Sequence, residues 1–376
     1  MKTSPPPSLE TSVAEFSSAI ASSLDAMTLT TVQRCGGHIT LLFTVDKSSA
    51  MKRSQGSRGV GFSIHHGVEA SGTLHRIERD DSGMMHGVKP DTPLAEPETK
   101  PSRVSVRSMQ GTHLENVALY LDFIQACREA TLLRPHEWLE VDVQLECPTS
   151  QGFGMSAAGL IALGKTIHAL TGRGRLLQYL KIAHRIERNH GAGLGDVLGA
   201  SVGGVELRLA PGAPGWPGKA VSFGADAPVL LIWNPHEERH TSTYIDDPHW
   251  QASITAAGDE CVDVLASKPW ERERWPEVLT QSRMFASASG MLEEEERARL
   301  YKTTLEAVQS VGAQASLAVR LCMLGSSVVV VPRRLDAPVN LDELNEVAAM
   351  VEQHGFAHFS TALAPVSPQM IALRGQ

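Results

Sequence analysis

A glycine-rich loop, a serine that opens a helix and two carboxylates nine positions apart are residue types that phosphoryl transfer uses. This chain carries them between positions 148 and 196. The loop is Pro148-Thr149-Ser150-Gln151-Gly152-Phe153-Gly154-Met155-Ser156-Ala157-Ala158, between a strand expected at 138–145 and a helix expected at 157–170. Glycines at such a junction let backbone N–H groups converge, and the helix dipole adds positive potential there, so the junction suits a phosphate. The Ser156 hydroxyl either caps the helix or binds Mg²⁺.

Glu187 stands near the end of the next expected helix, 176–190, and Asp196 follows the turn Gly191-Ala192-Gly193-Leu194-Gly195. One carboxylate could hold Mg²⁺ while the other approaches a substrate hydroxyl. The plainer alternative makes Asp196 a helix N-cap and the pair a solvated surface. Arg58, in Gly56-Ser57-Arg58-Gly59, brings a planar cation near free amides, which suits a carboxylate or phosphate. Arg208 shares a strand face with Glu206, a pattern that also describes the exposed side of an antiparallel strand. His38, between Gly37 and Ile39, reads equally as a structural histidine.

One pattern misleads. Gly159-Leu160-Ile161-Ala162-Leu163-Gly164-Lys165-Thr166 matches G-x-x-x-x-G-K-[ST] letter for letter. A phosphate loop needs a strand before it and a helix after it. Here the nearest strand ends before Pro148, and Leu160, Ile161, Leu163 and Ile167 form an apolar helical face. The match is read as accidental.

The surrounding elements must position these groups. Strand material is expected at 28–44, broken at Gly36-Gly37, and at 205–209 and 227–233. Helices are expected at 13–27, 113–130, 305–319 and 341–354, with a mostly helical stretch at 269–300. An apolar run at 323–331 reads as a glycine turn entering a buried strand, 357–373 as a last strand, and 80–103 as a surface loop. Alternating helices and strands give a mixed α and β class. The proline- and glycine-rich segment 211–219 is the clearest composition break.

Bulk properties exclude some functions. The 376 residues carry 34 Lys and Arg against 42 Asp and Glu, a net charge of −8, which leaves no basic footprint for nucleic acid. An anionic substrate must then be held by local arginines and metal. The 5 scattered cysteines form no CxxC pair, which argues against a disulfide framework or zinc site. A proline-rich start without an apolar segment and the lack of a roughly 20-residue apolar run lead us to expect a cytoplasmic protein outside the membrane.

Taken together, the motifs resemble the GHMP kinase superfamily, whose central loop reads P-x-x-x-G-L-G-S-S-A-A. Here Phe153 replaces the leucine and Met155 the first serine, and Ser156 matches the superfamily's Mg²⁺-binding serine. Within the superfamily, the archaeal pantoate kinases are most similar. The similarity rests on Gly37-His38-Ile39-Thr40 with the 56–61 glycines, the central loop, Ala183-His184-Arg185-Ile186-Glu187 with Gly193-Leu194-Gly195-Asp196, and Met323-Leu324-Gly325-Ser326-Ser327.

The resemblance implies a two-domain α+β fold. An N-terminal extension (1–27) would precede an ATP-binding α/β domain (28–218) and a ferredoxin-like C-terminal domain (219–376), with the active site in the cleft between the two domains. It implies ATP over Pro148, Gly152, Phe153, Gly154, Met155, Ser156, Ala157 and Ala158, with Mg²⁺ on Ser156 and Glu187. Asp196 would orient or deprotonate the primary hydroxyl of pantoate, giving 4-phosphopantoate on the route to coenzyme A. Arg208, then Arg58, would hold the substrate carboxylate, with His38, Thr241 and Thr243 beside the substrate. Homodimers are common in the superfamily, so a homodimer is expected.

Overall fold

The computed structural model describes residues 29–76, 101–237 and 242–367. The expected helix at 13–27 lies outside these residues, as do most of the 80–103 loop and Thr241.

Two sheets organise the chain. The first contains β1 (Leu29–Phe43), β2 (Gly59–Arg76), β3 (Arg103–Arg107), β4 (Glu137–Leu145), β5 (Val205–Ala210) and β6 (Lys219–Phe223). β1 runs antiparallel along one edge of β2, while β4 and β5 share the other edge, pairing Val68–Arg76 and Gly59–Phe62 respectively. The expected break at Gly36-Gly37 is a bulge within a continuous strand, because the register shifts between Gly36 and His38. β3 was not anticipated, and five residues were too short to stand out. It pairs parallel with β4, and α1 (Ala118–Glu129) makes the crossover. β6 hydrogen-bonds to β5, so this sheet runs to Phe223, beyond the boundary expected at 218.

α2 (Met155–Thr171) lies on β1 and β2 and is apolar nearly all round, as a helix inside a core must be. The accidental phosphate-loop pattern falls wholly inside it. Gly159 leaves room for the Tyr120 ring, Thr166 donates to the Ala162 and Ala70 carbonyls, and the Lys165 ammonium donates to the Arg34 carbonyl at 3.0 Å. Helical N–H groups bonded within the helix offer nothing to a phosphate. Lys165→Ala is therefore expected to leave nucleotide affinity nearly unchanged by calorimetry, and a loss of binding would restore the phosphate-loop reading.

α3 (Leu176–Asn189) and α4 (Asp196–Val202) complete the layer over this sheet. The second sheet has the order β10-β7-β9-β8 and is antiparallel throughout. Its strands are β7 (Pro228–Trp233), β8 (Leu317–Cys322), β9 (Ser327–Pro332) and β10 (Ala357–Ala362). Numbered within this half, the order is 4-1-3-2, the ferredoxin-like arrangement. α5 (Ser242–Ile245), α6 (Pro248–Ala266), α7 (Trp275–Ala288) and α8 (Glu295–Ser310) connect β7 to β8, and α9 (Leu341–Gln353) connects β9 to β10. The helix expected at 305–319 ends at Ser310, and Leu317 already begins β8, whose residues are all buried. Apolar content alone does not separate a buried strand from a helix.

The two halves share one core. Phe43 and Phe62 of the first sheet meet Phe285 and Trp275 of α7, with ring centroids at 5.7 and 6.1 Å. Such aromatic pairs contribute about 1 kcal/mol each beyond their buried area. The Met323 amide donates to the Thr40 carbonyl at 3.0 Å, which ties the turn after β8 to β1.

Candidate active site

The loop 148–156 bends through left-handed backbone at Ser150 (φ 59°), Gly152 (φ 74°) and Gly154 (φ 67°). A side chain at Gly152 would place its Cβ 2.7 Å from the Met323 carbonyl oxygen, so here the loop lies backbone to backbone on the 323–325 turn. Gly154 caps α2 with no side-chain acceptor, which leaves the first N–H groups of that helix uncapped by protein. A cavity of about 290 Å³ opens at this point. Pro148, Gly152, Phe153, Gly154, Met155, Ser156 and Asp196 line it, joined by Val106, Leu114, Tyr120, Met323 and Leu324. Val106, Leu114 and Tyr120 were not among the site residues read from the sequence, because apolar lining residues look like any core residues, whereas Met323 and Leu324 belong to the 323–327 block that carried the resemblance. Ala158 corrects the sequence reading: it is fully buried outside the lining and its amide is already bonded to the Gly154 carbonyl; Ala157 is fully buried too and has only its backbone amide to offer.

The Ser156 hydroxyl donates to Glu187 Oε1 at 2.9 Å rather than capping its own helix. Glu187 is buried at the end of α3, and its carboxyl is pushed up to about 8 by burial and then by the charge of Asp196. Two hard oxygen donors side by side in a site that resists negative charge fit a divalent cation of the Mg²⁺ type. Such a cation takes one or two carboxylates and completes its shell with water and phosphate oxygens. Among the described residues no group of three or more His, Cys, Asp and Glu is poised for a metal.

The turn 191–195 places Asp196 beside Glu187. A Cβ on Gly193 would sit 2.8 Å from both Asp196 Oδ2 and the Glu187 carboxyl carbon, so only glycine fits between them. Arg188 anchors the turn by donating to the Gly193 carbonyl at 2.6 Å. Asp196 Oδ1 accepts from His38 Nδ1 at 2.8 Å and from the Thr40 hydroxyl at 3.3 Å. Burial alone would raise the Asp196 carboxyl, but His38, Arg208 and Thr40 outweigh it and hold the group below its ordinary range. Asp196 is thus ionised, with Oδ2 accepting no hydrogen bond from the described residues.

His38 was expected beside the substrate. It is fully buried, outside the cavity lining, and both ring nitrogens are engaged, Nε2 lying 3.1 Å from Glu206 Oε1. Glu206, absent from the sequence-derived site, therefore belongs to the network. The one available signal was a Glu and an Arg inside the apolar run Val205, Leu207 and Leu209. Arg208 is not on an exposed face: it is completely buried. Its Nη1 lies 3.1 Å from Glu206 Oε1, out of line for a hydrogen bond, and Nε, Nη1 and Nη2 have no hydrogen-bond partner.

Arg58 points elsewhere. Its guanidinium bonds Asp259 at 2.7 Å and Asp263 at 2.5 Å on α6, which takes it away from any substrate. Thr243 lies on α5, and Thr241 falls outside the described residues.

Parts of the chain are similar to known proteins. Residues 119–204 match the GHMP kinases N terminal domain. The pantoate kinase of Thermococcus kodakarensis is 32% identical over 166 residues, covering 43% of this chain and 53% of that protein. The pantoate kinase of Methanospirillum hungatei is 26% identical over 208 residues, covering 53% and 63%. The chain thus spans between half and two thirds of the length of these relatives. Among solved structures, a phosphotransferase related to the CoA biosynthesis pathway superposes with a TM-score of 0.66 at 18% identity, covering 89% of this chain and 96% of that one. Homoserine kinase of Cytophaga hutchinsonii superposes with a TM-score of 0.59 at 14% identity, covering 91% and 96%. The match over 119–204 and these superpositions give the chain the α+β fold of the GHMP kinases.

Proposed function

We propose that this protein is an ATP-dependent small-molecule kinase that phosphorylates the primary hydroxyl of pantoate to give 4-phosphopantoate. One observation carries the reading: the ionised Asp196 and the Ser156–Glu187 pair meet at the rim of a glycine-loop cavity.

The uncapped N-terminus of α2 and the 152–154 backbone would receive the nucleotide phosphates. Ser156 and Glu187 would hold Mg²⁺, which neutralises charge on the phosphate oxygens when bound. Asp196 Oδ2 would accept the hydrogen bond of the acceptor hydroxyl and aim it in line with the γ-phosphorus. As the new oxygen–phosphorus bond forms and the bond to the β-phosphate oxygen breaks, the hydroxyl proton passes to Asp196. A carboxylate held low is a weak base, and that suffices, because the hydroxyl becomes acidic only as the bond forms and positioning supplies most of the catalysis. Arg208 supports a carboxylate-bearing acceptor: Glu206 lies beside it, but none of its three guanidinium nitrogens makes a hydrogen bond, and buried donors without one are costly. Arg208 has no exposed surface, so an acceptor reaches it only when the neighbouring 193–195 turn shifts. A cytoplasmic location and a homodimer remain parts of this proposal. Among the described residues no helix is long and apolar enough to cross a membrane.

Coupled-assay turnover of ATP with pantoate, mevalonate, homoserine and shikimate tests the acceptor. Pantoate is expected to lead by about 10-fold or more in kcat/KM; all four acceptors carry a carboxylate, so the difference rests on how the carbon skeleton fits the cavity. Turnover of another acceptor with none on pantoate would overturn the substrate while keeping the kinase.

A further inference from the structure

Behind Asp196, away from the cavity, stands a buried chain of charges with no route to a substrate. Glu206 Oε1 faces His38 Nε2 at 3.1 Å, and His38 Nδ1 faces Asp196 Oδ1 at 2.8 Å. His38 and Glu206 are fully buried and neither lines the cavity. The fit is close: a Cβ on Gly199 would stand 2.3 Å from His38 Nε2, and one on Gly61 2.8 Å from it. The ring has a fixed place between the two carboxylates.

A neutral imidazole presents one N–H and one lone pair. Between two carboxylates the lone pair would face an oxygen lone pair, so only the doubly protonated ring donates on both sides. The groups facing His38 are Asp196 from α4 and Glu206 and Arg208 from β5, with Glu187 of α3 further off. With His38 charged, the inner four balance at two positive and two negative. Burial alone would depress the imidazole, but Glu206 and Asp196 outweigh it and raise it to about 9.

We propose that Glu206 is a positioning residue for the phosphoryl transfer: through His38 it fixes the orientation and the ionised state of Asp196 from behind. The proposal rests on the kinase reading above. Glu206 keeps His38 protonated, protonated His38 and Thr40 hold Oδ1, and Oδ2 is left turned to the acceptor. Loss of the Glu206 charge lets His38 become neutral within the working pH range; its single N–H is then fixed to neither nitrogen, and Asp196 loses the positive charge behind it.

The test is Glu206→Gln, which keeps the shape and an oxygen for His38 Nε2 but removes the charge. We expect the alkaline limb of kcat to move toward neutrality by about one pH unit or more, so that kcat falls by up to about 10-fold on that limb with the nucleotide KM unchanged. An alkaline limb that stays in place would overturn the proposal, since a merely structural glutamate would lower activity evenly across pH. NMR titration of the His38 ring, assigned by difference against His38→Asn, reads the coupling without turnover. The wild-type ring is expected to stay protonated beyond pH 8 and the Glu206→Gln ring to titrate about one unit or more lower. A wild-type ring that deprotonates below pH 7 overturns the proposal even if Glu206→Gln does not fold. Failure of the kinase reading would show instead as no turnover of any acceptor with the His38 titration intact.

Discussion

Asp196→Asn is expected to lower kcat by at least ~100-fold, the usual cost of removing a group that accepts a proton in the transition state. Nucleotide affinity should be kept, because the phosphate-facing backbone of 152–156 does not depend on the charge at 196, and without that charge Glu187 ionises more readily to hold the cation. Asparagine fills the same space and keeps an oxygen for His38 and Thr40. What it lacks is a second oxygen able to take a proton. The comparison is therefore between single-turnover rate and nucleotide dissociation constant, each measured on wild type and variant. An unchanged rate would remove Asp196 from the chemistry. Loss of nucleotide binding together with rate would mean instead that the 191–195 turn had collapsed.

Arg208→Met should separate a binding arginine from a structural one, because the two roles predict different outcomes. For a structural ion pair, removal strands Glu206 and destabilises the fold by about 3–5 kcal/mol. Glu206 keeps its bond to His38, however, and the guanidinium has no hydrogen-bond partner on Nε, Nη1 or Nη2. Each orphaned buried donor costs about 1–3 kcal/mol, which offsets the loss of the Arg208 charge beside Glu206, so an apolar side chain of similar length is expected to leave the melting temperature nearly unchanged. The carboxylate acceptor should lose its anchor. A charge-assisted pair in a buried site is worth about 2–5 kcal/mol, so KM for pantoate is expected to rise by ~100-fold or more. An acceptor analogue with an alcohol in place of the carboxylate should be nearly indifferent to the change. An unaltered KM for pantoate would take Arg208 out of substrate binding, and a large drop in melting temperature would make it structural.

The loop and its flanking elements were legible before any coordinates, because glycines in left-handed backbone and an apolar helix after a strand are local signals. The helices at 155–171, 176–189 and 341–353 were legible for the same reason, since apolar spacing reports a buried face directly. β3 was not, because five alternating residues beside a polar stretch carry little periodic signal. β8 was taken into a helix because a strand buried on both faces shows no alternation.

By itself the sequence determined which groups are available: a phosphate-binding turn, a serine, two carboxylates and two arginines. It also showed the Gly159–Thr166 pattern to be empty, since helix interiors have no free N–H groups to offer. Only the tertiary structure decided which of these groups meet. Arg58 and Arg208 look alike as letters, but one is bound by two aspartates on α6 and the other is enclosed beside Asp196. His38 looked like a substrate contact and is instead held between the carboxylates of Asp196 and Glu206. The reason is physical: ionisation and access depend on the burial and charges around a group, and here those come from segments more than 150 positions apart in the chain.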